Sequence, residues 1–345
     1  MFTSGHRAEE FAGMELPPRV TGPWTSAHVV RWCAAQQNWD RIHHDADYAR
    51  AVAGLPHPVV NGALKQNLIT LYLQDSFPAG AWLWHLDCRF DSFDFVGDEL
   101  EARGRVVNVQ EQRESLIIRV EVTMQNRTFR TITSSASAVI VMALDGSPIP
   151  DAFGLENAGF AWPDEKEHDL AGVPEAIAGR IGRQLEHLRS YTPVDQGRLR
   201  LFADALGCRS PIYYDLEAGR RSIHGGVVAL PWFPTHALSM RPGERNLTNE
   251  PRAMGREAVC EVGRDMPSIF DLPPQGLRSA GNRAQFHSLL RLGETVEATS
   301  CLADVKCAVA DDKSRSLIFH TRNEYKTTAG RPLLSEVTAI LCRLE

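Results

Sequence analysis

The 345-residue sequence predicts an α+β protein built from two copies of one unit, each a helix packed on a curved antiparallel sheet. Three observations carry this. Four runs in the first half alternate apolar and polar residues with period two. One helical stretch precedes them. The second half then repeats the order of the first.

The runs come in sequence. Trp82, Trp84, Leu86, Cys88 and Phe90 share one face, and Leu100, Ala102, Gly104 and Val106 share the next. Leu116, Ile118, Val120, Val122 and Met124 form the cleanest run, followed by Ala136, Ala138, Ile140, Met142 and Leu144. Such alternation predicts strands with one buried face. Ahead of them, Leu64, Leu68, Leu71 and Tyr72 fall at helical spacing and predict a helix from 62 to about 74 with one apolar stripe. Residues 145–172 hold Pro148, Pro150, Pro163 and an acidic patch, which is linker composition. Pro174 suits the first turn of a short bridging helix expected over about 174–189.

The repeat is read from ordered matches. Ile42 aligns with Ile212 and Asp45 with Asp215, an offset of 170. Val59-Val60 aligns with Val227-Val228, an offset of 168, which puts Leu230 opposite Gly62. Gly97 stands opposite Gly293, an offset of 196, so about 26 residues are added in the second copy, placed within 241–282. A duplication of this period means two copies of one fold. The expected division is a first domain over 1–145, a linker and bridging helix over 146–189, and a second domain over 190–345.

Composition excludes several classes. Hydrophobic residues make up 43% and charged residues 23%, which rules out wholesale disorder. A net charge of -6 with no basic block argues against a nucleic-acid partner or an anionic-membrane surface. No apolar run nears the roughly 18 residues of a membrane span, and residues 1–13 carry no apolar signal core. Seven scattered cysteines without CxxC spacing read as reduced thiols, so a cytoplasmic protein is expected. His85, placed on the polar face of its strand, lacks partners at metal-ligand spacing, and no Walker loop, dinucleotide fingerprint or GxSxG elbow is present. The remaining class is a small-molecule enzyme with no metal and no cofactor.

The most informative stretch is 34–62, "AAQQNWDRIHHDADYARAVAGLPHPVVNG". It resembles the hydration motif of the MaoC-like, R-specific enoyl-CoA hydratase family, roughly A-x-S-G-D-x-N-P-I-H-x-D followed by an alanine, a glycine and a helix opened by H-G. Ile42, His43, Asp45, Ala49, Gly54 and Gly62 match in order. "FVGDELEARGRV" resembles the family's strand-opening segment, and the second half resembles its non-catalytic companion domain. The resemblance implies a double hot dog: two tandem units, each a long helix wrapped by a curved antiparallel sheet. It implies a hydro-lyase adding water to a 2-enoyl thioester, or removing it from a 3-hydroxyacyl thioester. The partner is then an acyl-CoA or acyl-carrier-protein thioester; a homodimer is left open.

Residue by residue, the resemblance makes His43 the catalytic histidine and the Gly62 amide the oxyanion donor. The family's aspartate, five residues before the histidine, is Asn38 here. An amide is not basic, though it can hold a water or the histidine. Asp40 stands where the motif has its asparagine, so the acid and the amide are exchanged, and Asp40 is the candidate carboxylate partner. A subgroup of related dehydratases of the yeast mitochondrial type resembles "N-x-H-R-I-H-Y-D" and also has asparagine here, so Asn38 does not by itself exclude activity. Asn61 replaces the histidine that usually precedes the glycine and is expected to shape the pocket. Asp45, repeated as Asp215, reads as a helix cap, His44 as a surface residue, and Trp82 and Trp84 as core or tunnel lining. In the second copy Cys208 and Tyr213 face Asn38 and His43, so that half is expected to be silent and its pocket enlarged for a bulky acyl chain. The alternatives are a non-catalytic acyl-thioester-binding subunit, motivated by Asn38, and a hot-dog thioesterase using Asp40.

Overall fold

A computed structural model describes residues 8–152, 168–238, 277–309 and 314–344. The first half contributes strands β1 (Glu15–Thr21), β2 (Trp82–Phe90), β3 (Leu100–Gln112), β4 (Ser115–Asn126) and β5 (Thr131–Ala143). The second contributes β6 (Gln184–Arg189), β7 (Leu277–Phe286), β8 (Val296–Val309), β9 (Arg315–Thr327) and β10 (Pro332–Arg343). All ten join one antiparallel sheet in the order β1-β3-β4-β5-β2-β7-β10-β9-β8-β6. Exchanging each strand for its counterpart in the other half returns the same order, so the sheet carries the duplication seen in the sequence. The seam is β2 against β7, from His85↔Gln285 to Arg89↔Gly281. There Gly281 has φ 152°, and a Cβ would collide with the Cys88 carbonyl oxygen, so glycine is what lets the two backbones meet.

The helices are α1 (Ser26–Gln36), α2 (Ala46–Ala51), α3 (Gly62–Ser76), α4 (Glu175–Ala178), α5 (Gln196–Ala205), α6 (Leu216–Arg221) and α7 (Phe233–His236). The expected helix at 62 runs as α3, but it is buried nearly all round, not on one stripe: Lys65, Gln66, Asn67 and Thr70 are as buried as Leu64 and Leu68. The second half covers its polar side. Trp232 Nε1 donates to Thr70 Oγ1 at 2.9 Å, and Gln74 Nε2 donates to Tyr213 Oη at 3.0 Å. Trp82 and Trp84 are core, as expected.

Four expectations need correction. The bridging helix stops at Ala178, and Gln184–Arg189 is the edge strand β6, paired with β8. Glycines at 179 and 182 interrupt the helix, and the residues beyond them add to the free edge of β8. Of the stretch 241–282, residues up to 276 lie outside the described residues, but 277–282 begin β7. His85 is not on an exposed face: β2 lies between β5 and β7 at the centre of the sheet, and His85 is 2% exposed. His44 is half-buried, its Nε2 3.1 Å from the Trp39 carbonyl. Among the described residues six cysteines are free. Burial pushes the Cys33 and Cys88 thiols up to about 12.

Candidate active site

The loop between α1 and α3 is assembled by short-range capping. Asp40 caps the single turn Arg41–His43 through the Ile42 N–H, at 3.3 Å. Asp45 caps α2 through the Tyr48 N–H at 3.0 Å and pairs with Arg41 at 2.7 Å, which is the structural role read for it from the sequence. Its carboxyl is held below the usual range, first by the Tyr48 N–H and then by Arg41. Val59 N–H returns to the Ile42 carbonyl at 2.9 Å, and Val60 N–H reaches the Asp94 carbonyl at 2.8 Å. These bonds fix the chain that leads into α3.

His43 is buried at 7% exposure, and its hydrogen bonds define its tautomer. Asn61 Oδ1 accepts from the Ala63 N–H at 2.7 Å as the cap of α3, so its Nδ2 is the atom 3.1 Å from His43 Nε2. An amide nitrogen only donates, so Nε2 is an acceptor and the ring proton sits on Nδ1, 2.9 Å from the Val59 carbonyl. Because Asn61 spends its oxygen on Ala63, the Gly62 N–H has no acceptor among the described residues. It stands at the positive end of the 15-residue α3. Gly62 also leaves room for the Phe90 ring: a Cβ there would lie 2.9 Å from it.

His43, Asn61, Gly62 and Asp40 line one cavity of about 150 Å³. The wall is completed from the second half by Arg278 and Ser279 of β7 and Thr338 and Ile340 of β10. One Asp40 oxygen is spent on Ile42, and the carboxylate makes no other hydrogen bond among the described residues. Asn38 does not line the cavity. It is fully buried, and its Oδ1 accepts from the Asp40 N–H at 3.1 Å, so it shapes the loop behind Asp40. The exchange of acid and amide thus brings Asp40, not Asn38, to the cavity.

One pair escaped the sequence reading. Lys65 lines the cavity and is buried with Asp94, Nζ to Oδ2 2.8 Å, with the Ser92 carbonyl at 3.0 Å. Asn126 Nδ2 donates to the other Asp94 oxygen at 2.9 Å. Such a pair is stable only because its remaining valences are met. The available signal was a lysine in the first turn of the helix that Gly62 opens. Among the described residues no group of three or more His, Cys, Asp or Glu could hold a metal ion, and no helix is long and apolar enough to cross a membrane.

Two helix-and-sheet units joined edge to edge into one sheet define the class of double hot-dog proteins. The same architecture occurs in a MaoC domain protein from Chloroflexus aurantiacus (TM-score 0.64, 10% identity, 99% of this chain and 98% of that one). It occurs also in Rv0216 of Mycobacterium tuberculosis, described as having a double hotdog fold (TM-score 0.58, 12% identity, 99% of both chains). At these identities the likeness is one of fold. In sequence, residues 180–336 match the FAS1-like, dehydratase domain region. A UPF0336 protein of Parafrankia sp. (strain EAN1pec) is 30% identical over 159 residues, covering 44% of this chain and 88% of the relative. A second UPF0336 protein, from Streptomyces avermitilis, is 23% identical over 160 residues, covering 45% and 91%. The likeness to the Parafrankia protein places the chain in the UPF0336 family, and the dehydratase-region match together with the double hot-dog fold supports the MaoC-like resemblance.

Proposed function

We propose that the chain is a hydro-lyase of the R-specific hydratase type, acting on a 2-enoyl or 3-hydroxyacyl thioester. The observation that carries this is one cavity presenting both a buried imidazole with an acceptor Nε2 and an unpartnered N–H at a helix start. Hydration needs both: a base for water, and a donor for the negative charge that builds on the thioester oxygen.

In this reading the thioester carbonyl points at the Gly62 N–H, and the buried Lys65 adds positive potential on the same side. A water is held between Asp40 and His43. Nε2 takes its proton, sharing or displacing the Asn61 amide, and the hydroxide bonds to C3. The C2–C3 π electrons move to C1–C2, and charge collects on the carbonyl oxygen. The imidazolium then returns the proton to C2. Dehydration is the reverse. Arg278, exposed at the cavity edge, suits the phosphorylated arm that CoA and a carrier protein have in common.

The test is an ultraviolet assay of the purified chain with crotonyl-CoA. Loss of the conjugated-thioester absorbance without thiol release is the expected result. Thiol release assigns a thioesterase instead. Binding without turnover assigns a non-catalytic acyl-thioester-binding subunit.

A further inference from the structure

A second, smaller cavity of about 20 Å³ adjoins the first and shares Ala63, Phe90, Ser279 and Thr338 with it. It lies at the junction of the two halves, and it is polar. The buried Glu336 carboxylate accepts from Tyr325 Oη at 2.8 Å, Asn323 Nδ2 at 3.2 Å and Asn282 Nδ2 at 3.4 Å. Two more acceptors, Gln66 Oε1 and Asn282 Oδ1, are buried with no donor among the described residues. Gln66 is 2% exposed.

A buried acceptor without a donor costs free energy, and an alkyl chain laid against it leaves that cost in place. A hydroxyl removes it. The space holds about one oxygen-sized group. Gln66 lies four residues beyond Gly62 on α3, about 6 Å along the helix axis. We infer that the acyl group carries a hydroxyl a few carbons beyond the thioester, which donates to Gln66 Oε1, beside Asn282 and Glu336. This replaces the expectation of a merely bulky acyl chain with one bearing a distal hydroxyl. It rests on the proposed function only for the placement of the thioester beside Gly62.

The test compares two saturated, unreactive ligands on the full chain by titration calorimetry: hexanoyl-CoA and 6-hydroxyhexanoyl-CoA. The hydroxylated ligand is expected to bind at least about tenfold more tightly, since a site built to pair a hydroxyl rejects the analogue lacking it. The ratio is expected to fall towards one in Gln66→Leu. Equal affinity in the unsubstituted chain, tighter binding of hexanoyl-CoA, binding of neither, or a ratio unchanged in Gln66→Leu each overturns the inference. Crotonyl-CoA, too short to reach Gln66, is assayed on the same preparation. Its turnover reports on the hydro-lyase reading separately.

Discussion

The two halves keep the same frame and differ in the atoms that could react. Single-turn segments Arg41–His43 and Pro211–Tyr213 begin matching loops. Asp45 and Asp215 cap α2 and α6 through N–H bonds of 3.0 and 2.7 Å. Val59 and Val228 reach back to Ile42 and Ile212 at 2.9 and 3.3 Å. Val60 and Ala229 then reach the Asp94 and Leu290 carbonyls at 2.8 and 2.7 Å. These bonds set the offset at this point to 169, one more than the residue matching suggested. Gly62 therefore stands opposite Pro231, not Leu230, and a proline has no N–H to offer. Lys65 and Asp94 fall opposite Pro234 and Leu290, so the buried charge is gone too. Tyr213 replaces His43, and its hydroxyl accepts from Gln74 of α3. Burial raises the Tyr213 phenol, as it does the Cys208 thiol. Loop bonds to backbone atoms survive substitution; the imidazole and the free amide do not, so the second half keeps the frame of the first without those two groups.

The sharpest way to break this contrast is to substitute the matching pair. His43→Ala is expected to lower kcat/KM about 10²–10⁴-fold. Tyr213→Phe should leave kcat/KM within a factor of a few and cost about 1 kcal/mol in denaturant unfolding, for the lost Gln74 bond. A Tyr213 effect as large as that of His43 would end the division of labour. Next, Gly62→Ala pushes the new methyl into Phe90, shifting the cavity wall and the amide. Steady-state kinetics should show a loss of up to about 100-fold, mostly in kcat. Asn38→Asp tests whether the exchanged acid can be moved back. It buries a carboxylate behind the loop, so no gain of activity is expected, with a destabilisation of about 1–3 kcal/mol by urea titration. Last comes the seam. Burial, with help from His287 and Arg119, pushes His85 down to about 3 from 6.5. Between these values the unfolded chain holds a proton that the folded chain does not, so stability is full above pH 6.5 and falls as pH drops. The slope is at most about 1.4 kcal/mol per pH unit. His85→Leu should flatten urea midpoints between pH 6.5 and 5.

β2 to β5 were legible because each alternates with period two, and α3 because its apolar residues recur at helical spacing, although it is buried nearly all round; periodicity is local. His43, Asp40, Asn61 and Gly62 were legible as a group because they lie within one loop and its following helix start. Other features were not. Lys65 and Asp94 are 29 positions apart and meet only through the loop after β2. β6 carries few apolar residues because an edge strand is held by backbone bonds to β8, so its pattern gave no signal. Arg278, Ser279, Thr338 and Ile340 reach the cavity only because β7 pairs with β2 and β10 pairs with β7, which is a property of the seam and not of any segment.

That seam has an evolutionary reading. Two identical chains paired edge to edge would carry every substitution twice, once on each side of the axis. Fusing them into one polypeptide frees each copy to mutate alone. A proline that would remove the amide from both sides of a symmetric pair then leaves Gly62 untouched, and a carboxylate such as Glu336 can enter one side without a twin facing it.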